Sequence, residues 1–290
     1  MAKHLQGAQV PPGRITSCLY GLTGSMKSTL AGHQPGKGRN ILLAYDQNAP
    51  GLDSIAVAER SRFEVFCPDG GAVERPDGEL VTNWELEANR LFQKDWKKEF
   101  PDAGSVTVDA GSTLSYKLLY ETAKEHPVEA GKKQATTGET YTIGRPKPED
   151  KESKVTSPQL MDFNLAQLQI RQMIEWLIIR NPTLDIHVIF HEGMCPADPK
   201  EGLGLVFGPE IAGKKGPRMI PQLFNTVLWL ERERKDKPNL GKTRISMHDT
   251  DMHVCHIKTP RPKEVPPAKW LDPDVDQIKD FWTWVKGLKS

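Results

Sequence analysis

Gly21, Leu22, Thr23, Gly24, Ser25, Met26, Lys27, Ser28 and Thr29 combine the residue types that phosphate chemistry requires, at the spacing it requires. Glycines let a turn wrap its backbone N–H groups around phosphate oxygens. A lysine closing the turn offers an ammonium to β- and γ-phosphates, and the hydroxyl beside it can ligate Mg2+. One position departs from the pattern: Met26 stands where a glycine ordinarily precedes the lysine, and its Cβ is expected to restrict the backbone and crowd the phosphates. A chance Gly/Ser turn is the bland alternative. Context argues against it, because residues 15–20 read as a buried strand running into the loop and residues 27–31 as a helix start. All nine residues are assigned to ATP, with Lys27 on the phosphates and Ser28 on the metal.

Asp109 ends the apolar run 105–108. After such a loop, a carboxylate at a strand tip is expected to face it from a nearby strand and to hold Mg2+ with Ser28. Read alone, it would be a strand-ending Asp in a turn. Asp46 closes a second apolar run, 40–45, and supplies another carboxylate at a strand end.

Positioning these groups takes a sheet. Runs at 40–45, 63–66, 105–108 and 184–190 read as strands of a buried parallel sheet, and 226–230, 244–247 and 254–257 as later strands. Residues 67–82 carry PDGG and RPDG turns and predict a hairpin, and Asn83 caps a helix running to about residue 100. Residues 112–124 predict a helix, and 160–179 a longer one with Leu165, Leu168, Met173, Trp176 and Leu177 inward. Residues 126–158 are polar, without hydrophobic period, and read as a mobile insertion. Asp272 with Pro273 opens a last helix whose tryptophans are read as packing. The expectation is an α/β fold with a mainly parallel central sheet flanked by helices and antiparallel strands added near the C-terminus. The domain plan is an arm (1–13), a core (14–270) and a C-terminal helix (271–290).

Composition narrows the function classes. Lys+Arg 39 against Asp+Glu 38 gives a net charge of +1 in 290 residues, so any nucleic-acid site must be local. Four isolated cysteines, with no CxxC pair, read as reduced core residues. Nothing approaches the ~18 consecutive apolar residues of a membrane span, and the N-terminus has no apolar signal region. His248, Asp249, Asp251 and His253 look like a metal cluster, but they fall in a predicted turn where Asp is favoured for backbone reasons.

The order of these motifs resembles phage-encoded RecA-like P-loop ATPases of the single-strand annealing and recombination group, over roughly residues 14–270. Carrying the likeness are the phosphate loop, the strand ending at Asp46, Asp109 followed by Ser112 and Thr113, the strand ending in His191 and Glu192, the loop 208–218, the strand TVLWLER, and a hairpin reaching Lys258 and Arg261. The resemblance implies a homo-oligomer in the cytoplasm, that of the host if phage-encoded, which binds Mg·ATP and acts on single-stranded DNA. His191 and Glu192 would sense the γ-phosphate. Lys214, Lys215 and Arg218 would contact DNA, and Lys258 and Arg261 would reach the nucleotide of the next subunit. Where the family places a water-polarising glutamate, this chain has Asn48, which leaves Asp46 as the nearest carboxylate there.

Two rival readings stand beside ATP hydrolysis. One is an assembly switch that binds ATP and hydrolyses little, for which Met26 and Asn48 both speak. The other is a small-molecule kinase or a packaging motor. A kinase lid would be rich in arginine, and the 126–158 insertion holds only Arg145. A motor would need room for a nuclease domain.

Overall fold

The computed structural model describes residues 13–35, 38–46, 50–70, 72–74, 80–125, 160–197, 204–213, 216–234 and 239–289. Residues 1–12 of the arm, Asn48, the 126–158 insertion, Lys214 and Lys215 lie outside the described residues. In chain order the elements are β1 (Thr16–Gly21), α1 (Lys27–Gly32), β2 (Arg39–Ala44), α2 (Val57–Arg60), β3 (Phe63–Phe66), β4 (Ala72–Glu74), β5 (Leu80–Thr82), α3 (Trp84–Phe92), α4 (Trp96–Glu99), β6 (Ala103–Asp109), α5 (Gly111–Glu125), α6 (Leu160–Arg180) and β7 (Asp185–Phe190). They continue with β8 (Glu192–Cys195), β9 (Val206–Pro209), α7 (Gly216–Met219), β10 (Thr226–Arg232), β11 (Thr243–Ser246), β12 (His256–Ile257), β13 (Ala268–Leu271) and α8 (Val275–Lys289).

The central sheet runs β13-β11-β10-β1-β7-β6-β2-β3, with β12 also on β10. From β10 to β3 every pairing is parallel, and β11, β12 and β13 add antiparallel pairings beyond it. This is the mainly parallel α/β architecture that the sequence predicts of a RecA-like P-loop fold. Helices cover both faces, which explains why β1 and β7 are buried along their whole length and read as unbroken apolar runs. On one face Tyr20, Val188 and Phe190 pack with Leu114 and Leu118 of α5, Ile170 and Ile174 of α6, and Phe92 of α3. On the other, Leu19 and Ile189 pack with Leu30 of α1 and with Ile278, Phe281, Trp282, Val285 and Leu288 of α8. Burying each of those large α8 side chains contributes roughly 2 kcal/mol. Trp282 also donates its indole N–H to the Leu30 carbonyl at 2.7 Å, so the last helix braces the helix of the phosphate loop.

Several local expectations are corrected. The helix from Asn83 breaks in two, because Asp95 caps a second start by accepting from Lys98 N at 3.2 Å. Asn83 does cap α3, accepting from Leu86 N at 2.7 Å. The residue capping α8 is Asp274, which accepts from Gln277 N at 2.9 Å, and not Asp272. Segments read as irregular form a hairpin, β8–β9, and an edge strand, β13. No described helix is long and apolar enough to cross a membrane.

His187 lies wholly inside this core, 2.7 Å from Ser17 Oγ through Nδ1 and beside Trp282, with ring centroids 5.2 Å apart. Burial lowers its pKa from 6.5 to about 4; nearby Asp185 opposes the shift and Lys286 adds to it. The unfolded chain therefore binds a proton that the folded chain refuses between these values. Stability is fully present above pH 6.5 and is lost as pH falls toward 4, by about 3 kcal/mol at about 1.4 kcal/mol per pKa unit. Urea melts of wild type and His187→Gln between about pH 7 and 4 check this. The wild type should lose that much more than the variant, and parallel losses would remove His187 as the cause.

Candidate nucleotide site

The parallel strands β1, β7, β6 and β2 all end at one edge of the sheet, where open α/β sheets place their ligand crevice. Gly21 ends β1 with its backbone so close to β10 that a Cβ would lie 2.1 Å from the Leu230 carbonyl oxygen. No other residue fits there without moving a central strand. The chain then turns through an exposed tip, Leu22, Thr23 and Gly24, and re-enters with Ser25 buried.

Met26 takes φ 68° and ψ 18° as it enters α1, the left-handed conformation that glycine adopts freely. For methionine this costs about 1–2 kcal/mol. Its side chain packs against the apolar cluster formed by α1 and α8, which offsets the strain. The loop thus reaches a glycine-like backbone at the departing position, and the sequence-based expectation that Met26 restricts the backbone gives way to a strained but packed residue.

Lys27 is only 8% exposed. Its ammonium donates to the carbonyls of Gly21 and Leu22, both at 2.8 Å, and lies 3.4 Å from Ser25 Oγ. Burial pushes its pKa down to about 8, against the pull of Asp109, Glu192 and Asp46. The loop therefore gathers a desolvated cation at its mouth with backbone dipoles around it.

Ser28 Oγ donates to Asp109 Oδ2 at 2.7 Å, across the width of β7. Asp109 is 9% exposed, and burial raises its pKa; the Ser28 hydrogen bond opposes this, Asp46 adds to it, and Lys27 and His191 oppose it. A buried carboxylate whose hydrogen-bond partner is one hydroxyl is a hard-oxygen pair suited to a divalent cation, and Ser28 and Asp109 are the residues that would hold Mg2+. Gly51, in the short turn Pro50–Ser54, closes on this pair. A Cβ on it would lie 2.3 Å from Asp109 Oδ2 and 3.1 Å from Ser28 Oγ.

Three other sequence-predicted residues arrive at the same edge. Asp46 accepts a short hydrogen bond from Thr113 Oγ1 at the start of α5. His191 donates its backbone N–H to Ser112 Oγ at 2.9 Å, and its carbonyl accepts from Glu210 N at 2.8 Å. Glu192 accepts from the Trp229 indole at 2.6 Å. Ser112 Oγ in turn donates to the Glu210 carbonyl at 2.7 Å, so one hydroxyl ties the end of β7 to the strand leading into the basic loop.

Lys258 and Arg261 do not join them. β12 pairs with Thr226 and Val227, at the end of β10 that neighbours Ser17, and Lys258 N donates to Asn225 O. Both residues therefore lie at the sheet edge opposite the phosphate loop. Lys258 Nζ rests on Gln222 O at 3.2 Å, and Arg261 stands 3.8 Å from Glu264 in an exposed pair. Arg218, the described member of the basic loop, is on α7 and donates to Gly204 O.

Sequence reasoning missed Gly51, Trp229 and Arg234. Arg234 donates to Thr23 O at 2.9 Å, placing a guanidinium on the tip of the loop from within the same chain. The signal for it was the pairing of Gly21 with Leu230, which carries the residues after β10 alongside the loop and requires the register to be known. The residues of the suspected metal cluster hold other partners: His248 bonds Val265 O, Asp249 caps Cys255 N, and His253 stacks on Trp229. No group of three metal-binding side chains occurs among the described residues.

No protein-family model matches the chain, and no curated protein matches it in sequence. Among solved structures it is similar to a RadB recombinase, with 14% identity and a TM-score of 0.41 over 82% of this chain and 81% of the other. It is also similar to the ATPase domain of a helicase, with 8% identity and a TM-score of 0.44 over 93% of this chain and 84% of the other.

Proposed function

We propose that this chain binds Mg·ATP in the loop formed by residues 21–29 and hydrolyses it as a RecA-like ATPase acting on single-stranded DNA. What carries the reading is the meeting of Lys27, gathered on the loop carbonyls, with the Ser28–Asp109 pair reached across β7. A triphosphate on this loop would take the Lys27 ammonium from the carbonyls it now holds, and the backbone N–H groups of the turn would surround its oxygens. Mg2+, when bound, supplies neutralisation of charge on those oxygens; Ser28 and Asp109 hold it. Arg234 steadies the tip of the loop in the same subunit. Asp46, His191 and Glu192 line the crevice where the γ-phosphate would lie.

Action on DNA rests on Lys214, Lys215 and Arg218 following a hairpin that starts at the site itself, so that nucleotide and polynucleotide would meet at the two ends of β8–β9. Homo-oligomer assembly, and membership of the phage annealing and recombination group, belong to the same reading and rest on motif order. The reading as an ATP-dependent assembly switch is favoured by one observation: Asp46 and Glu192, the carboxylates nearest Lys27 after Asp109, both already hold protein donors.

Isothermal titration with Mg·ATP, phosphate release with and without single-stranded DNA, and sizing with and without ATP separate these readings. The expected result is binding, slow turnover raised by DNA, and a larger assembly with ATP. Binding and assembly without turnover would select the switch. Absence of binding would end both.

A further inference from the structure

We propose that Glu192 is the carboxylate that orients the attacking water in the hydrolysis proposed above, and that Trp229 is its positioning residue. The inference rests on the nucleotide reading of the site and adds to it the assignment of the hydrolytic carboxylate.

Position comes first. β7 lies between β1, which feeds the phosphate loop, and β6, which ends in Asp109. A residue just beyond the end of β7 therefore stands between the loop and the Ser28–Asp109 pair. Glu192 is such a residue, and its charge acts on the Lys27 ammonium second only to Asp109 and ahead of Asp46. Its tether supports the placement independently. Trp229 sits in β10 on the far side of β1, in register with Tyr20, while Phe190 flanks Tyr20 on the near side. The 2.6 Å hydrogen bond from Trp229 Nε1 to Glu192 Oε2 thus spans the end of β1, at the base of the loop.

The kind of donor matters as well. An indole N–H gives one hydrogen bond, has no charge and accepts nothing. It fixes one oxygen of Glu192 and leaves the carboxylate its negative charge, whereas a lysine or arginine there would neutralise it. The indole is itself held. His253 stacks on it with centroids 3.8 Å apart and planes 23° apart, and Phe207 continues the stack at 5.3 Å. The turn carrying His253 is closed by Thr250 Oγ1 on His253 N, by Asp249 on Cys255 N, and by Tyr20 Oη donating to Val254 O. Such a tether goes beyond what joining two strands requires and sets a side chain in one orientation, the condition for catalysis by position.

In the reaction, Glu192 Oε1 accepts a hydrogen bond from a water. The water oxygen forms a bond to the γ-phosphorus of ATP as the bond from that phosphorus to the β–γ bridging oxygen breaks. The electron pair leaves with ADP, and the water proton passes through the carboxylate to the released phosphate. A general base of this kind contributes about 10²–10⁴ in rate.

The test is a double-mutant cycle on the full chain with single-stranded DNA present, reading kcat and the dissociation constant for Mg·ATP separately. Glu192→Gln should lower kcat by about 10² or more and leave ATP affinity within about threefold. Trp229→Phe keeps the ring stack but removes the N–H, and should lower kcat about tenfold with affinity again retained. In the Glu192→Gln background, Trp229→Phe should cost nothing further, because its effect passes through the carboxylate. Wild-type turnover in Glu192→Gln, or losses that simply multiply, would overturn the proposal. Should Trp229→Phe fail to fold, the Glu192→Gln arm decides alone. A wild-type protein that binds ATP without turning it over would overturn this assignment and leave the binding reading standing, whereas one that binds no ATP would overturn the reading on which it rests.

Discussion

Replacing Lys27 by alanine should weaken Mg·ATP binding by roughly 30- to 4,000-fold, the span that follows from losing about 2–5 kcal/mol when one member of a desolvated charge contact is truncated. The fold already withdraws the ammonium from bulk water, so the protein bears its desolvation before ATP arrives. Its present partners, the carbonyls of Gly21 and Leu22, are neutral. Exchanging them for phosphate oxygens therefore gains a full ionic contact at little new cost. The same carbonyls lie at the mouth of an exposed tip, where water can replace the lost donor, so the melting temperature should fall by no more than a few degrees. Titration calorimetry with ATP and a thermal melt on one preparation check both halves. A folded Lys27→Ala protein with wild-type affinity would remove the phosphate assignment of the loop.

Much of this site could be read from residue order because its parts are local. The loop is one contiguous stretch whose spacing is its chemistry, and Asp109 and Asp46 each end an apolar run, so the strands announced the carboxylates. Even Met26 was legible as an anomaly. Its resolution was not, because the packing that offsets a left-handed methionine comes from α8, at the far end of the chain. The sheet was legible for a similar reason: β-branched and aliphatic runs buried on both faces carry little ambiguity, and β3 (Phe63–Phe66) fell on its expected residues.

Failures fall where tertiary partners decide. In α6 the core-facing residues are Ala166, Ile170, Met173, Ile174 and Leu177, and Leu168 is exposed. A helix with apolar residues on several sides does not declare which one faces inward, and a small alanine won because α5 packs close. Gly/Pro-rich β8–β9 was read as a loop, since its two strands are short and pair only with each other. Trp229 and Arg234 reach the site through the register of β10 on β1, a relation between residues at opposite ends of the chain. Such pairings leave no local trace.

The second large effect concerns Lys258 and Arg261. They occupy the sheet edge opposite the phosphate loop of their own chain, so neither can touch its own nucleotide. If the chain assembles head to tail, that edge of one subunit faces the loop edge of the next, and the repeated contact is heterologous, as in a ring or filament. Cationic side chains supplied across such an interface contribute about 10³–10⁵ in phosphoryl-transfer rate. Lys258→Ala with Arg261→Ala should therefore suppress turnover by about that factor and leave ATP binding at the wild-type level. The decisive measurement mixes two inactive proteins. Lys27→Ala subunits keep both cations and lack ATP, whereas the Lys258→Ala, Arg261→Ala subunits keep ATP and lack the cations. With random assembly of equal amounts, roughly a quarter of the interfaces join an ATP-bearing loop to intact cations. Activity should return in the mixture, and it should fall on dilution as the interfaces dissociate. Turnover that is rapid in the dilute monomer, or a mixture as inactive as its components, would place the charge-stabilising group within a single chain. Arg234, on the tip of the loop, would then be the residue to replace.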